Sequence, residues 1–275
     1  MATQLEKSAT FRALHARQGA FVIPNPWDAG TAKLLASLGF EALATTSLGL
    51  ANMLGRANST VSLDEILANC REIAAATPLP VNADLENCGG DMPEVAAKAI
   101  ALAAEAGMSG GSIEDFTGDR DKPIYDFTLA VERVQAAVEA ARALPVPFVL
   151  TARAENLIVG YPERLDDTIR RLQAFEAAGA DVLYAPGLRD IGTIRTVVSA
   201  VTRPVNVVMT YGDPKLTVTD LAEAGVKRIS VGGSVSRWVL TQFMKVAREM
   251  KAGGFTFVPE AASSREFREA FAKGE

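Results

Sequence analysis

Pro80-Val81-Asn82-Ala83-Asp84-Leu85-Glu86 decides the reading of this chain. Small and β-branched residues giving way to acids at alternate positions mark a buried strand that ends at a polar mouth. Successive side chains on a strand point to opposite faces, so Asp84 and Glu86 share one. A second run, Gly111-Ser112-Ile113-Glu114-Asp115, ends in the same manner. With the two strands parallel and about 5 Å apart, Asp84, Glu86 and Glu114 converge where mutual repulsion is costly. Oxygen-only ligands without histidine ask for a hard cation that keeps part of its water, Mg2+ with Mn2+ as the alternative, rather than zinc. The plainer alternative is a set of strand-end acids facing solvent or paired with arginines.

Outward from this stretch the same alternation recurs. β-rich runs are Ala20–Pro24, Ala42–Thr46, Leu79–Glu86, Ser109–Glu114, Phe148–Arg153, Val182–Ala185, Val205–Met209 and Arg228–Val231. Between them lie amphipathic patterns such as Met92–Ala106, Leu129–Ala143 and Pro162–Ala178, which predict helices. Gly39, Gly107, Gly179 and Gly225 each stand where a helix ends before an even-numbered strand, as a left-handed C-cap requires. Eight strands with intervening helices predict a closed (β/α)8 TIM barrel rather than an open sheet. No low-complexity linker divides the chain, so residues 1–275 read as a single barrel domain with an N-terminal helix. Residues 255–275 read as a C-terminal helical extension, whose Phe267 and Phe271 need a surface to cover.

Composition narrows the function. A net charge of −5 without a basic stripe argues against nucleic acid as a partner. No apolar run reaches the roughly 18 residues of a membrane span and the N-terminus is unlike a signal peptide, so a cytoplasmic protein is expected. Cys70 and Cys88 form neither a disulfide framework nor a metal-binding pair. The single histidine, His15, precedes the first strand. A histidine-assisted nucleophile and a histidine-ligated zinc site are both disfavoured.

In a barrel of this kind the active site lies at the carboxyl ends of the strands. Arg153 ends the fifth strand in Thr151-Ala152-Arg153-Ala154-Glu155, where a guanidinium either grips a carboxylate or phosphonate or forms a structural salt bridge to Glu114 or Glu155. Thr46, Ser47 and Leu48 follow the second strand, offering amides and hydroxyls to a substrate carboxylate or plain turn chemistry. Trp27 walls the site while Asp28 reads as a helix N-cap. Gly232-Gly233-Ser234 is either a phosphate cradle or a tight turn. The polar loop Phe116–Asp126 supplies Arg120, Lys122 and Tyr125 as proton donors or anion contacts if it closes as a lid, and is otherwise a solvated loop.

These residues together resemble the isocitrate lyase and phosphoenolpyruvate mutase superfamily over nearly the whole chain. The matching motifs are Asp84-Leu85-Glu86-Asn87-Cys88-Gly89-Gly90, Ile113-Glu114-Asp115 and Thr151-Ala152-Arg153-Ala154-Glu155. The resemblance implies a Mg2+-dependent barrel in which Asp84, Glu86 and Glu114 hold the ion largely through waters. It also implies that Thr46, Ser47 and Leu48 bind the carboxylate of a small 2-oxo acid, that Arg153 contacts substrate, and that chemistry passes through an enolate. A homo-oligomer follows too, with the last helix exchanged in dimers that pair into tetramers. The loop after Glu114 departs from the family: it reads Gly118-Asp119-Arg120-Asp121-Lys122, with neither the cysteine nor the histidine of the lyases nor the Lys-x-Asn-Ser of the mutase. Ala57 and Pro186 likewise replace an acid of the family pattern. Pro24-Asn25-Pro26-Trp27-Asp28 places the chain nearest a less characterised branch. The resemblance therefore implies a lyase that makes or breaks a carbon–carbon bond beside a small 2-oxo or 2-hydroxy carboxylate, with Lys122, Tyr125 or water as acid. The alternatives are phosphorus–carbon chemistry, as in a phosphonomutase or phosphonopyruvate hydrolase, and a non-catalytic 2-oxo acid binding protein.

Overall fold

Strand residues that alternate apolar with polar, the apolar ones packed against the outer helices, and glycine-punctuated turns produce eight short strands, each followed by a helical segment. The computed structural model describes residues 2–160 and 164–274. The strands are β1 (Phe21–Ile23), β2 (Leu43–Ala44), β3 (Val81–Asp84), β4 (Gly110–Glu114), β5 (Val149–Arg153), β6 (Val182–Tyr184), β7 (Val205–Val208) and β8 (Arg228–Ser230). Consecutive strands from β2 to β8 pair in parallel, and β8 pairs with β1. The remaining seam, between β1 and β2, is bridged by the Ala44 amide donating to Pro24 O at 3.0 Å. Asn25 ties the same seam from the side chain: its Nδ2 donates to Thr45 O (3.1 Å) and its Oδ1 accepts from the Val231 and Gly232 amides (3.0 and 2.8 Å). The architecture is the (β/α)8 TIM barrel that the strand count predicts.

Helix α1 (Gln4–Ala16) begins with a Thr3/Glu6 capping box and covers one end of the barrel. Phe11 and Leu14 pack there with Phe21, Ile23, Val149 and Val182. His15 is wedged edge-on between the Phe11 and Phe21 rings. The outer helices are α2 (Ala29–Ser37), α3 (Ser47–Met53), α4 (Leu63–Ala76), α5 (Pro93–Glu105), α6 (Phe127–Ala143), α7 (Asn156–Val159), α8 (Arg164–Ala177), α9 (Ile191–Ser199), α10 (Val218–Glu223) and α11 (Ser234–Lys251). The predicted start of the α8 pattern at Pro162 lies outside the described residues. Gly39, Gly107, Gly179 and Gly225 all carry φ between +87° and +101°, the left-handed caps expected of them.

Beyond α11, α12 (Ser264–Lys273) opens with a Ser263/Glu266 capping box and packs against α2 of its own chain. Phe267 and Phe271 stack on each other at 6.0 Å. Trp238, Phe243 and Phe255 stay exposed along α11 and the segment after it. Among the described residues no helix is long and apolar enough to cross a membrane.

Candidate active site

The carboxyl ends of the strands surround a cavity of about 510 Å³. Asp84, Glu86, Glu114, Arg153, Thr46, Ser47 and Leu48 all line it, joined by Glu155, Arg120 and Tyr184. Glu86 reaches it by a different route from the one its spacing predicts. Strand β3 stops at Asp84, and Glu86 sits in the left-handed region at φ +49°. A turn, not strand alternation, turns this carboxylate toward the cavity.

Arg153 organises the site. Its Nη1 donates to Asp84 Oδ1 at 2.8 Å, its Nη2 pairs with Glu114 Oε2 at 3.0 Å, and its Nε donates to Glu155 Oε1 at 2.9 Å. The guanidinium is only 14% exposed and the Glu155 carboxylate 3%. Its face lies 4.9 Å from the Tyr184 ring centroid, adding a cation–π contact. Burial opposes charge on this guanidinium, but Glu114, Glu155 and Asp84 outweigh it and hold its pKa well above the usual arginine value. The strand-end acids are therefore compensated first by an arginine, and both readings of Arg153, salt bridge and anion grip, start from one side chain.

The second-strand turn is tied into the same arrangement. Thr46 caps α3, its Oγ1 accepting from the Gly49 amide at 3.2 Å. Ser47 gives both its amide (3.0 Å) and its hydroxyl (2.9 Å) to Asp84 Oδ2. Both oxygens of Asp84 are thus occupied, one by Ser47 and one by Arg153. On the far side, Asp115 is buried away from the cavity. It accepts from the Glu155 amide (2.8 Å) and from Arg171 Nη1 (3.1 Å), fixing the start of the loop that carries Glu155. Nothing in the alternation of Glu114 and Asp115 named Arg171 as that partner, 56 residues away.

Burial and the charge of Asp84 push the Glu86 carboxyl up to about 7. Burial drives Glu114 well above the carboxylate range, against the pull of Arg153. Negative charge at this mouth is under-compensated by the protein alone, and the available donors are carboxylate oxygens, which fits a hard cation. Among the described residues, however, no three Asp, Glu, His or Cys side chains stand close enough together to hold one ion directly. The residues fit a cation that keeps most of its water shell and leans on Glu86, Glu114 and Asp84 through it.

Three predicted site residues stand elsewhere. Trp27 lies outside the cavity lining, its carbonyl accepting from Asn69 Nδ2 at 2.9 Å while Asp28 caps α2. Tyr125 is buried, and its hydroxyl donates to Asp91 Oδ1 at 2.6 Å rather than reaching the cavity. Its ring supports Arg133 at 4.4 Å, whose Nη1 and Nη2 donate to the Gly90 and Asn87 carbonyls at 2.5 Å each. Tyr125 thus steadies the turn that carries Glu86. Lys122 is exposed and pairs with Asp126 at 3.5 Å. Phe116 and Ile124 close the base of this loop with an antiparallel bridge, and Phe116, Gly118 and Arg120 line the cavity, leaving Arg120 as the basic residue of the loop there. In the Gly232 turn, Asn25 already accepts from the Val231 and Gly232 amides, while Gly232 and Gly233 line the cavity. Cys88 is fully buried, and burial pushes its thiol up to about 12.

Comparison with known proteins agrees with this geometry. The sequence profile of the phosphoenolpyruvate phosphomutase family matches residues 11–251. An oxaloacetate decarboxylase from Pseudomonas savastanoi pv. phaseolicola is 31% identical over 232 residues, covering 82% of this chain and 77% of the relative. A crystal structure from Burkholderia cenocepacia J2315, described only provisionally as a lyase/mutase, shares 54% identity with a TM-score of 0.94 and covers 98% of this chain and 96% of its own. A phosphonopyruvate hydrolase in complex with oxalate and Mg2+ superposes with a TM-score of 0.86 at 24% identity, covering 98% and 95%, a likeness of fold. The chain belongs to the phosphoenolpyruvate phosphomutase family, within the isocitrate lyase and phosphoenolpyruvate mutase superfamily of enzymes.

Proposed function

We propose that the protein is a Mg2+-dependent lyase that makes or breaks a carbon–carbon bond next to a small 2-oxo or 2-hydroxy carboxylate, through an enolate. The observation that carries the reading is Arg153 held by three carboxylates on three of its nitrogens at 2.8–3.0 Å. A guanidinium has five N–H donors, so two remain for an oxyanion, and Arg153 lines the cavity. Donors fixed before the reaction stabilise charge as it develops, which is the larger part of catalysis at such a site. Asp84, Glu86 and Glu114 hold the cation, and when bound it supplies Lewis-acid compensation for the developing oxyanion. Thr46, Ser47 and Leu48 orient the substrate carboxylate at the first turn of α3. The named activity of the decarboxylase relative, on a small 2-oxo dicarboxylate, supports this substrate class.

Lys122 and Tyr125 lie away from the cavity lining, so a water is the proton carrier of this reading, with Arg120 an anion contact at the mouth. The exposed apolar residues Trp238, Phe243, Phe255 and Phe267 support a homo-oligomer in which the C-terminal helices cover one another's subunits. The test is turnover of a panel of 2-oxo and 2-hydroxy di- and tricarboxylates with and without Mg2+, alongside Asp84→Ala and Arg153→Ala. Cleavage that requires Mg2+ and disappears in both variants is expected. Binding of the whole panel without turnover would sink the lyase reading in favour of a binding protein. Turnover of phosphonopyruvate alone, followed by phosphorus NMR, would replace it with phosphorus–carbon chemistry.

A further inference from the structure

The barrel interior below the active site is polar, where a barrel of this type normally packs branched aliphatic side chains. Two residues before each active-site position stand Asn82, Ser112 and Thr151, and across from them Asn206, Arg228 and Ser230. Asn82, Ser112, Asn206, Arg228 and Ser230 all line the same cavity as Arg153. Its depth therefore runs past the catalytic mouth to a floor made by Arg228.

Arg228 is 3% exposed. Its Nε donates to Asn206 Oδ1 at 2.8 Å and its Nη2 to Thr151 Oγ1 at 3.0 Å, both neutral partners. Its Nη1 has no hydrogen-bond partner, and among the described residues no carboxylate pairs with it. Burial pulls its pKa down to about 9, and the nearby charge that depresses it further is another cation, Arg153. It therefore stays protonated at neutral pH. A buried cation without a counter-charge is among the costliest arrangements in a protein interior, and arginine does not escape it by releasing its proton. The compensating anion is missing from the chain itself. Ser230 stands beside it: its Oγ accepts from Asn206 Nδ2 at 3.1 Å and keeps its own proton for a ligand.

We propose that Arg228 and Ser230 form a second anion subsite at the cavity floor, distinct from the Arg153 mouth, which takes a small monoanionic group, a carboxylate or a small inorganic anion. The group has two sources, the far carboxylate of a dicarboxylate substrate or a free ion such as chloride or bicarbonate. Anion binding is read without turnover, so the subsite stands or falls independently of the lyase reading; only the substrate arm below rests on it.

The test begins with the unaltered protein. Thermal unfolding is followed while sodium bromide, formate or bicarbonate replaces a bulky organic anion at constant ionic strength, and crystals grown with bromide are examined for its anomalous signal. A saturable rise in melting temperature with a bromide peak at Arg228 is expected. Arg228→Gln, which keeps a hydrogen-bonding group for Asn206, is expected to abolish the rise and weaken anion binding at least tenfold. The substrate arm separates the sources. If KM for a 2-oxo dicarboxylate rises at least tenfold in Arg228→Gln while that for a 2-oxo monocarboxylate stays constant, the substrate supplies the anion. If both are unchanged while bromide binding is lost, a free ion does. A melting temperature indifferent to all three anions and a floor holding only water would overturn the proposal, whatever the variant does.

Discussion

Replacing Arg153 by Met removes the guanidinium shared by Asp84, Glu114 and Glu155 and leaves their charges facing one another, all less than one-fifth exposed. Removing one partner of a buried pair costs about 3–5 kcal/mol, because the penalty of the stranded charge exceeds the worth of the bond. Here three acids are stranded at once, which sets the expectation near the upper end, about 4–5 kcal/mol at pH 8 without metal. For a domain of this size about 1 kcal/mol moves the melting temperature by roughly 2–4 °C, so a fall of about 10–15 °C is expected. The loss depends on pH with a definite sign. Burial already raises the folded-state pKa of Glu114, and losing Arg153 raises it further. The folded variant then binds protons that the unfolded chain, with ordinary carboxylates, does not. Its stability therefore increases as pH falls from 8 toward the unfolded carboxylate range near pH 4.5, more steeply than that of the unaltered protein. Mg2+ should recover part of the loss by mass action. Circular dichroism melts between pH 5 and 8, in EDTA and in Mg2+, measure all three. A variant that melts within about 2 °C of the parent at pH 8 in EDTA, with the same pH slope, would show that the acids were never mutually repelling.

Further expectations follow from particular contacts. Tyr125→Phe and Lys122→Ala should each leave kcat within about threefold of the parent, whereas loss of a true general acid costs about 10²–10⁴-fold; steady-state kinetics on the substrate found by the panel decide between them. Arg171→Met strands buried Asp115 and should lower stability by about 3 kcal/mol, read from the urea midpoint. His15 is held neutral, its pKa pushed down to about 3 by burial and the charge of Arg228. The unfolded chain takes up a proton near pH 6.5 that the folded one refuses, so stability should fall as pH drops from 6.5 toward 3, by at most about 1.4 kcal/mol per unit. His15→Phe should flatten that slope in urea titrations at pH 4.5 and 6.5, and an unchanged slope would show that His15 is not held neutral.

The barrel was legible because its strands are short, apolar and set off by glycine caps, a local signal that packing then reinforces. The ends of strands were less so. Ala42–Thr46 contracts to Leu43–Ala44 because Thr46 is committed to capping α3, and β3 stops before Glu86 because the chain there turns left-handed. Asp84, Glu114 and Arg153 line the cavity where strand alternation aims them, and Thr46, Ser47 and Leu48 line it because they follow a strand end. Lys122, Tyr125 and Trp27 lie outside the cavity lining; a loop has no such period to aim them, and the Phe116–Ile124 bridge that shapes the loop carrying Lys122 has no composition of its own. The polar floor did leave a trace: Asn82, Ser112, Thr151 and Arg228 lie two residues before inward-facing positions, so period two alone puts hydrophilic groups inside the barrel.

The contacts of the site form one connected set. Arg171 fixes Asp115, Asp115 holds the Glu155 amide, Glu155 and Glu114 hold Arg153, and Arg153 meets Asp84, which Ser47 grips from the first turn of α3. Five elements, α3, β3, β4, β5 and α8, are thereby linked with the turns beside them through charge-assisted bonds, mostly buried, which are shorter and stronger than neutral ones. Such a set has little freedom to reorganise, which is what stabilising a developing oxyanion requires. The loop from Gly118 to Lys122 is joined to it chiefly through Asn87 and the Thr117 carbonyl and is otherwise exposed. Rigidity is concentrated around the Arg153 guanidinium, while the loop beside it is exposed. A chain can then exchange its loop residues without disturbing the Arg153 cluster, and this one carries Gly118-Asp119-Arg120-Asp121-Lys122 there.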